Sequence, residues 1–361
     1  MRSFVFLSIV AFSVACEETD KESDGTDLID DTGSPGIITP DTGVEDTAIS
    51  NECTARLTDS FPEINNSDFF YRDIIRVTLS SSDDTATLAL RKISGSSGDV
   101  EGRVEMDTNT LTFSPNMPLE PLNEYIAYVS TCDSEFVQEI PFQTNDFGLP
   151  VDAQMKDNTY SFNFGSGGFA PEGLQASLDG MVNNHIMLSV FNQVGSRVTF
   201  HSGSSIDTEY VQDFCAVTGS VSSDVDVAQS PDIVVEMAEV PFRSNGFPIA
   251  LRNFSFAATL SPDGTRMSHG YWTAEAVIRE FAPMLNQQAY DMCNNYLPTI
   301  DVTCEPCSDG EVFCISMAMT DLELEKGDKS VDCVLADQCH QECPNNSPDC
   351  EPKLDECATQ E

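Results

Sequence analysis

From Cys53 to Thr144, apolar residues recur at every second position in short runs: Ile75, Val77 and Leu79, then Thr87 to Leu90, Leu111 and Phe113, Tyr125 to Val129, and Phe136 to Phe142. A period of two puts neighbouring side chains on opposite faces of an extended chain, so each run reads as a half-buried strand. Turn residues separate the runs at the spacing of a β-sandwich. After a Gly/Pro break at Phe147 to Pro150, alternation resumes at Tyr160, Phe162 and Phe164. It continues at Ile186 to Phe191, Arg197 to Phe200, Ile233 to Val240, Ile249 to Leu260 and Met267 to Trp272. Within Ile249 to Leu260 the apolar phase slips near Arg252 and Asn253, which predicts a bulge or a bend. Helical spacing is strongest over Thr273 to Leu285, where Thr273 suits a cap and Ala276, Val277, Phe281 and Leu285 share one stripe. A second, shorter helix is expected over Gln287 to Tyr296. The expected fold class is mainly β: a β-sandwich, then a second β-rich sandwich or partly closed barrel with one or two helices, then a disulfide-rich C-terminal tail.

The 361 residues include 22 Phe and are 40% hydrophobic, enough for the packed cores of roughly two domains. Sixty Asp and Glu against 17 Lys and Arg give a formal charge of −43. Nucleic acid is thereby excluded as a partner, because a phosphate backbone is held by Lys and Arg that release its counterions. Residues 17 to 52 hold 12 of the acids and one Lys among Thr, Gly, Ser and Pro. Such a segment buries no core and reads as a disordered tether. As a flexible coil it averages about 30 Å end to end and reaches about 100 Å when stretched.

Ahead of the tether, Met1 to Ala15 runs from one Arg through FVFLSIVAF to Ser13-Val14-Ala15. That charged, apolar, small-residue order is a secretory signal peptide, and its apolar stretch is too short to span a bilayer. The next residue is Cys16, and FSVAC resembles the lipobox of bacterial lipoproteins, departing from it at Ser13, where that family usually has Leu. The resemblance implies acylation of Cys16, hence a membrane partner through an acyl anchor. Glu17, rather than Asp, implies outer-membrane sorting. Cysteine parity agrees: 13 cysteines less Cys16 leave 12, an even number suited to an oxidising compartment.

The phrase NTLTFSPNMPLEPLNEYIAYVS (Asn109 to Ser130), followed by IPFQT (Ile140 to Thr144), resembles the bacterial Ig-like domains of S-layer and other surface proteins. The resemblance covers roughly 90 residues, with its second half the more specific. It implies an Ig-like sandwich used as a spacer or display module, without catalysis. Cys53 and Cys132 are the only cysteines of this region and are expected to bridge to each other. Closing a loop of that length stabilises by roughly 4 kcal/mol on the chain-entropy model.

The other ten cysteines, Cys215, Cys293, Cys304, Cys307, Cys314, Cys333, Cys339, Cys343, Cys350 and Cys357, are expected in disulfides whose pairing one sequence does not reveal. Cys304-x-x-Cys307 with Cys314 and His340 also has the look of a zinc cluster, but oxidation consumes thiolates in an exported protein, so no metal and no cofactor is expected. Gln212 to Cys215 and Cys304 to Gly310 resemble stretches of uncharacterised lipoproteins from myxobacteria-like organisms, a group with no activity to transfer. Neither G-x-S-x-G nor H-E-x-x-H occurs, and His185, His201, His269 and His340 stand singly. A Ser-His-Asp set would have to be assembled in space, for example from Ser202 and His269. Gly165 to Gly168 reads as a turn and Ser261-Pro262-Asp263-Gly264 as a hairpin tip.

The expected organisation is a signal peptide (1–15), lipidated Cys16 with its tether (16–52), an Ig-like sandwich (53–146), a β-rich domain (147–330) and an acidic Cys-rich tail (331–361). The expected function is that of a non-enzymatic outer-membrane lipoprotein on the cell surface or the periplasmic face. Its Ig-like spacer would present a disulfide-stabilised β domain to an envelope protein, glycan or other ligand. An exported hydrolase with its site in the second domain is the alternative, as is a β-barrel that takes lipid or small ligands among Phe162, Phe164, Phe191, Phe200, Phe254 and Phe256.

Overall fold

A computed structural model describes residues 53–181, 184–206, 211–214, 216–219, 222, 224–227, 231–244, 247–327 and 331. Cys16 with the signal peptide and tether, Cys215, and the tail with Cys333, Cys339, His340, Cys343, Cys350 and Cys357 lie outside the described residues. The described chain is mainly β, in two bodies.

The first body uses nine strands: β1 (Leu57–Phe61), β2 (Asn66–Phe69), β3 (Ile75–Leu79), β4 (Thr87–Lys92), β5 (Gly98–Val100), β6 (Gly102–Asp107), β7 (Thr110–Pro115), β8 (Glu124–Thr131) and β9 (Phe136–Thr144). One sheet runs β1-β3-β7-β6 and the other β2-β9-β8-β4-β5, with β2 parallel to β9 and every other pairing antiparallel. Alternation does the expected work: Ile75, Val77, Leu111 and Phe113 of one sheet share a core with Leu88, Leu90, Tyr125, Ala127, Ile140 and Phe142 of the other. Lys92 takes the next inward position on β4 and ends its apolar stem in an ion pair with Glu120 at 2.5 Å. A disulfide joins Cys53 to Cys132 across 79 residues of sequence. Beside it the Asp83 carboxylate accepts from the Cys132 amide (2.6 Å) and the Thr85 hydroxyl (2.7 Å), which together hold its pKa below the ordinary value.

The second body is one nine-stranded antiparallel sheet curled nearly into a barrel. Its strands are β10 (Thr159–Phe162), β11 (Gly168–Ala170), β12 (Ile186–Val194), β13 (Arg197–Ser204), β14 (Val225–Asp226), β15 (Asp232–Ser244), β16 (Phe247–Leu260), β17 (Arg266–Val277) and β18 (Cys314–Gly327). The order is β14-β13-β12-β10-β18-β17-β16-β15, with β11 also paired to β18. The seam between the two ends is filled by the chain around Gly219 and Ser222. Both residues donate their amides to β13, to the Ser202 and Phe200 carbonyls, at 2.8 Å each. A Cβ on Gly219 would sit 2.0 Å from the Ser202 hydroxyl and 3.0 Å from the Glu239 carbonyl, so only glycine fits between β13 and β15.

Aromatic rings fill the interior. Trp272, fully buried, lies about 6 Å centroid to centroid from Phe162, Phe164, Phe169 and Phe254. Phe200 and Phe256 belong to the same core, whereas Phe191 lies 5.2 Å from the His201 ring and outside that cluster. The interior aromatics considered above as a ligand cavity therefore contact one another as core.

Local chemistry explains several details. The phase slip on β16 is a bulge at Arg252 to Ser255, with Asn253 at φ 48°. Ser261 to Gly264 is the tip of the β16–β17 hairpin: Asp263 accepts from Ser261 (2.6 Å) and from Thr265 (2.8 Å), and Gly264 has φ 65°. The Tyr160 phenol, pushed up to about 12 by burial, donates to the Gly264 carbonyl at 2.5 Å and holds that tip down.

The helix expected over Thr273 to Leu285 is corrected. Residues up to Val277 belong to β17, paired with β18 from Thr273↔Ala318 to Val277↔Cys314. Only Ile278–Phe281 is α-helical, followed by a 3-10 turn over Ala282–Leu285. The strand wins because its ladder to β18 buries Ala274 and Ala276 in the barrel core, outweighing a weak local helix propensity. Helical structure does occupy Ala289–Tyr296, running into a 3-10 turn at Leu297–Ile300. A ten-residue helix, α1 (Glu172–Met181), was not anticipated; Leu174 and Leu178, four residues apart, join the core from it.

Candidate functional site

The two bodies meet at a polar junction. From the first come Phe70, Tyr71, Arg72 and Asp73, between β2 and β3, and Asp146 with Phe147 after β9. From the second come Asp232 at the start of β15, Thr259 near the end of β16, and Arg266 and His269 on β17. Asp232 forms an ion pair with Arg72 and accepts from the Tyr71 phenol (3.2 Å) and the Thr259 hydroxyl (2.8 Å). Arg266 pairs with Asp146 at 2.9 Å, its guanidinium 4.9 Å above the Phe147 ring. His269 stacks on Phe70 with centroids 3.7 Å apart.

His269 is held by one ring face and by both ring nitrogens. It sits at φ 53°, where β17 bulges opposite β18. Its Nε2 faces Asp73 at 2.9 Å and its Nδ1 faces the Ser268 hydroxyl at 2.9 Å. Ser268 in turn donates to Glu323 at 2.7 Å, and Glu323 also accepts from the His269 amide at 3.1 Å. Asp73, His269 and Ser268 thus have the composition of a hydrolytic triad without its proton logic. The single Ser268 proton goes to the Glu323 carboxylate, the stronger acceptor, so Ser268 Oγ accepts from Nδ1–H while Nε2–H donates to Asp73. Both ring nitrogens then carry protons. Burial pulls the imidazole pKa down, but the hydrogen bond and charge of Asp73, then the charges of Glu323 and Asp321, outweigh it and hold it above the ordinary value. A protonated imidazole accepts no proton from a serine, and Ser268 is only 5% exposed. The group is a charged strut.

Beside this strut lies a cleft of about 670 Å³ over the outer face of β12, β10 and β18. Alternation places it: Tyr160 and Phe162, like Leu322 and Leu324, point into the core, which leaves Ser161, Glu323 and Glu325 on the other face. Asn163 and Ser166, in the turn after β10, form one wall, and Lys326 with Gly327 ends the other. Met187, His185 and Val211 complete the lining. The Asn163 side-chain oxygen is engaged by the Gly165 amide (2.8 Å) and the Ser166 hydroxyl (3.0 Å), so the Gly165–Gly168 segment is a self-bonded turn. Burial lowers the His185 pKa. Glu323 belongs to both places, lining the cleft and ending the hydrogen-bond chain from the junction. Sequence reasoning singled out neither Glu323 nor Glu325, although their alternation with Leu322 and Leu324 was the signal available.

Ser202 is not brought to His269. It is fully buried on β13 against Gly219, and the ring partners of His269 are Asp73 and Ser268. His201 is buried where Val331 crosses β13, so close that a Cβ on Gly203 would lie 2.8 Å from Val331 Cγ1. Burial pushes its imidazole down to about 4. Cys304 is bonded to Cys293 and Cys307 to Cys314, so the two cysteines of the C-x-x-C belong to different bridges and offer no shared thiolate pair to a metal. Around them Arg252 pairs with Glu280 (2.7 Å) and Asp309 (3.3 Å), and Ser308 donates to Glu275 (2.8 Å), which fastens this cross-linked segment to the sheet. The described residues include no helix long and apolar enough to cross a membrane.

No protein-family model and no curated protein matches this chain. Solved structures give distant likenesses. The L,D-transpeptidase 1 of Mycobacterium tuberculosis is 9% identical over 58% of this chain and 80% of that one, with a TM-score of 0.21. The cycloalternan-forming enzyme of Listeria monocytogenes is 9% identical, with 58% and 20% covered and a TM-score of 0.17. An uncharacterized protein of Listeria monocytogenes EGD-e is 12% identical, with 59% and 20% covered and a TM-score of 0.16. The chain spans about a fifth of the length of the two Listeria proteins, and likenesses this distant carry no functional inference.

Proposed function

We propose that the protein is a non-enzymatic lipoprotein of the cell envelope, anchored through an acylated Cys16, in which an acidic tether and a sandwich spacer present the barrel-like body for binding or scaffolding. The observation that supports this most is the junction. Two ion pairs, a stacked and doubly bonded His269, and Arg266 over Phe147 seat one β body firmly on the other, an arrangement suited to a spacer that sets the direction of its load. The three disulfides among the described residues fit an oxidising location outside the cytoplasm. Among the described residues, the His269–Ser268 pair in contact with a carboxylate is wired as a strut, which favours binding over hydrolysis.

The deciding measurement is the intact mass of protein extracted in detergent from its native membrane, alkylated under denaturing, non-reducing conditions. The expected result is a chain starting at Cys16, heavier by its acyl groups, with no alkylatable thiol. Unmodified protein in the soluble fraction, with Cys16→Ser behaving identically, would refute the anchor. Turnover of a generic ester, glycoside or peptide substrate, abolished by Ser268→Ala, would refute the non-enzymatic reading.

A further inference from the structure

We infer that the cleft over β12, β10 and β18 is a binding site for a neutral, polyhydroxylated ligand, a glycan segment of one to three sugar rings. The inference rests on the barrel-like body being a binding module and is independent of the anchor at Cys16.

Charge balance is the first ground. In a chain with a net charge of −43, the cleft is mixed in charge rather than uniformly acidic. Its two carboxylates, Glu323 and Glu325, share the lining with the Lys326 ammonium, and one oxygen of Glu323 is already bonded to the Ser268 hydroxyl and the His269 amide. His185 adds no charge near neutral pH, since its pKa is lowered. A site selected for a polyamine or a basic peptide would use the acidic excess that the rest of the chain supplies freely; a site for an anion would exclude both glutamates.

The second ground is the pattern of donors and acceptors. With its side-chain oxygen engaged in the turn, Asn163 has its NH₂ left to donate. Lys326 donates as well, Glu325 and the second oxygen of Glu323 accept, and Ser161 does both. A sugar ring presents hydroxyls that each donate and accept at spacings of a few ångströms, and a carboxylate takes two neighbouring hydroxyls at once. Val211 supplies apolar contact for the C–H faces between those hydroxyls, while Met187 in the same wall is buried. The third ground is size: about 670 Å³ lies within the usual range for small-ligand sites and admits a short oligosaccharide, while being far roomier than an ion requires.

The test uses the full mature chain in detergent, labelled and applied to a printed panel of neutral di- to tetrasaccharides, with spermidine and citrate as competitors. The expected result is binding to a subset of neutral glycans that neither competitor displaces. Ser161→Trp, which fills the cleft from its floor without touching the core, should weaken that binding at least about tenfold. Glu325→Gln, at an exposed position where folding is not at risk, should weaken it about threefold to tenfold by removing one charged acceptor. Far-UV dichroism and its urea midpoint report whether each variant keeps its fold. Three results would overturn the inference: no neutral glycan bound by the wild-type chain, glycan binding undiminished in both variants, or displacement by spermidine. None of these bears on the mass of the anchored chain, so this reading and the anchoring reading fail separately.

Discussion

The two β bodies solve the same problem, covering a hydrophobic face, in different ways. The sandwich pairs two open sheets, each with two edges, and ties the chain ahead of β1 to the β8–β9 turn with one long-range bridge, Cys53–Cys132. The barrel-like body closes a single sheet on itself around Trp272, and among the described residues its cross-links are local, Cys293–Cys304 and Cys307–Cys314, which span 11 and 7 residues. A closed sheet restrains distant parts of the chain by its topology, as the Cys53–Cys132 bridge restrains them in the sandwich.

The sharpest way to break that comparison is to remove the cross-links. In the chain-entropy model, Cys53→Ser with Cys132→Ser should cost about 4.5 kcal/mol, against about 2.5 kcal/mol for Cys307→Ser with Cys314→Ser. Trp272 is the only tryptophan, so its fluorescence follows the barrel-like body alone while far-UV dichroism follows both. In urea, the first double variant should show an early dichroism transition that Trp272 does not report. A single transition seen by both probes would mean that the junction fuses the bodies into one cooperative unit.

Next in size is the aromatic core. Trp272→Ala should cost about 4 kcal/mol by leaving a cavity among Phe162, Phe164, Phe169 and Phe254. Trp272→Phe should cost only about 1–2 kcal/mol, because the indole N–H has no hydrogen-bond partner among the described residues and its loss strands nothing. Urea midpoints from far-UV dichroism measure both, and equal losses would show that the indole nitrogen contributes more than its surroundings indicate.

How much of this was legible depended on whether a strand kept its phase and covered one face only. The runs at Ile75 to Leu79, Leu111 to Phe113 and Tyr125 to Val129 did both, and each is a strand. β18 did not: Met317 and Met319 are in phase with each other, but a bulge at Thr320 and Asp321, with Asp321 at φ 59°, shifts Leu322 and Leu324 onto the same face. Read linearly, MAMTDLELEKG loses its alternation in the middle, so the strand that carries Glu323 and Glu325 escaped notice, and the cleft with it. Thr273 to Val277 misled in the opposite direction, because alanines two apart satisfy a helix stripe and a strand face alike until the partner strand is known. The junction was illegible for a simpler reason: Asp73 and His269 are 196 residues apart, and nothing local ties an acid between two strands to a histidine on a bulge.

Two histidines of the barrel-like body carry the comparison into pH, with opposite signs. His201 is buried and its pKa is pushed down to about 4, so between about pH 6.5 and 4 the unfolded chain binds a proton that the folded chain refuses. Stability from this group is therefore complete above about pH 6.5 and falls as pH drops, by an amount of order 3 kcal/mol once pH 4 is reached. His201→Gln should flatten the acid limb of a urea-midpoint profile read by Trp272 fluorescence. An unchanged limb would place the acid sensitivity in the carboxylates instead.

His269 works the other way. It is tied to the sandwich by Asp73 and Phe70, its folded pKa lies above the unfolded value, and so its contribution is complete below about pH 6.5 and is lost as pH rises through the raised value. Losing the proton removes one of its two donated bonds: either Nε2 faces Asp73 as an unprotonated acceptor, or Nδ1 faces Ser268, whose own proton is committed to Glu323. The ring is half exposed, so the expected effect is small, about 1 kcal/mol. It should be visible where the bodies separate: the gap between the dichroism and fluorescence transitions should widen between pH 6 and 9 in the wild-type chain. In His269→Asn, which tolerates the left-handed backbone at this position but does not titrate, the gap should stay constant across that range. A gap that widens equally in both would show that the alkaline loosening does not come from His269. A constant gap in both would mean that the stacked ring, rather than its charge, holds the sandwich in place.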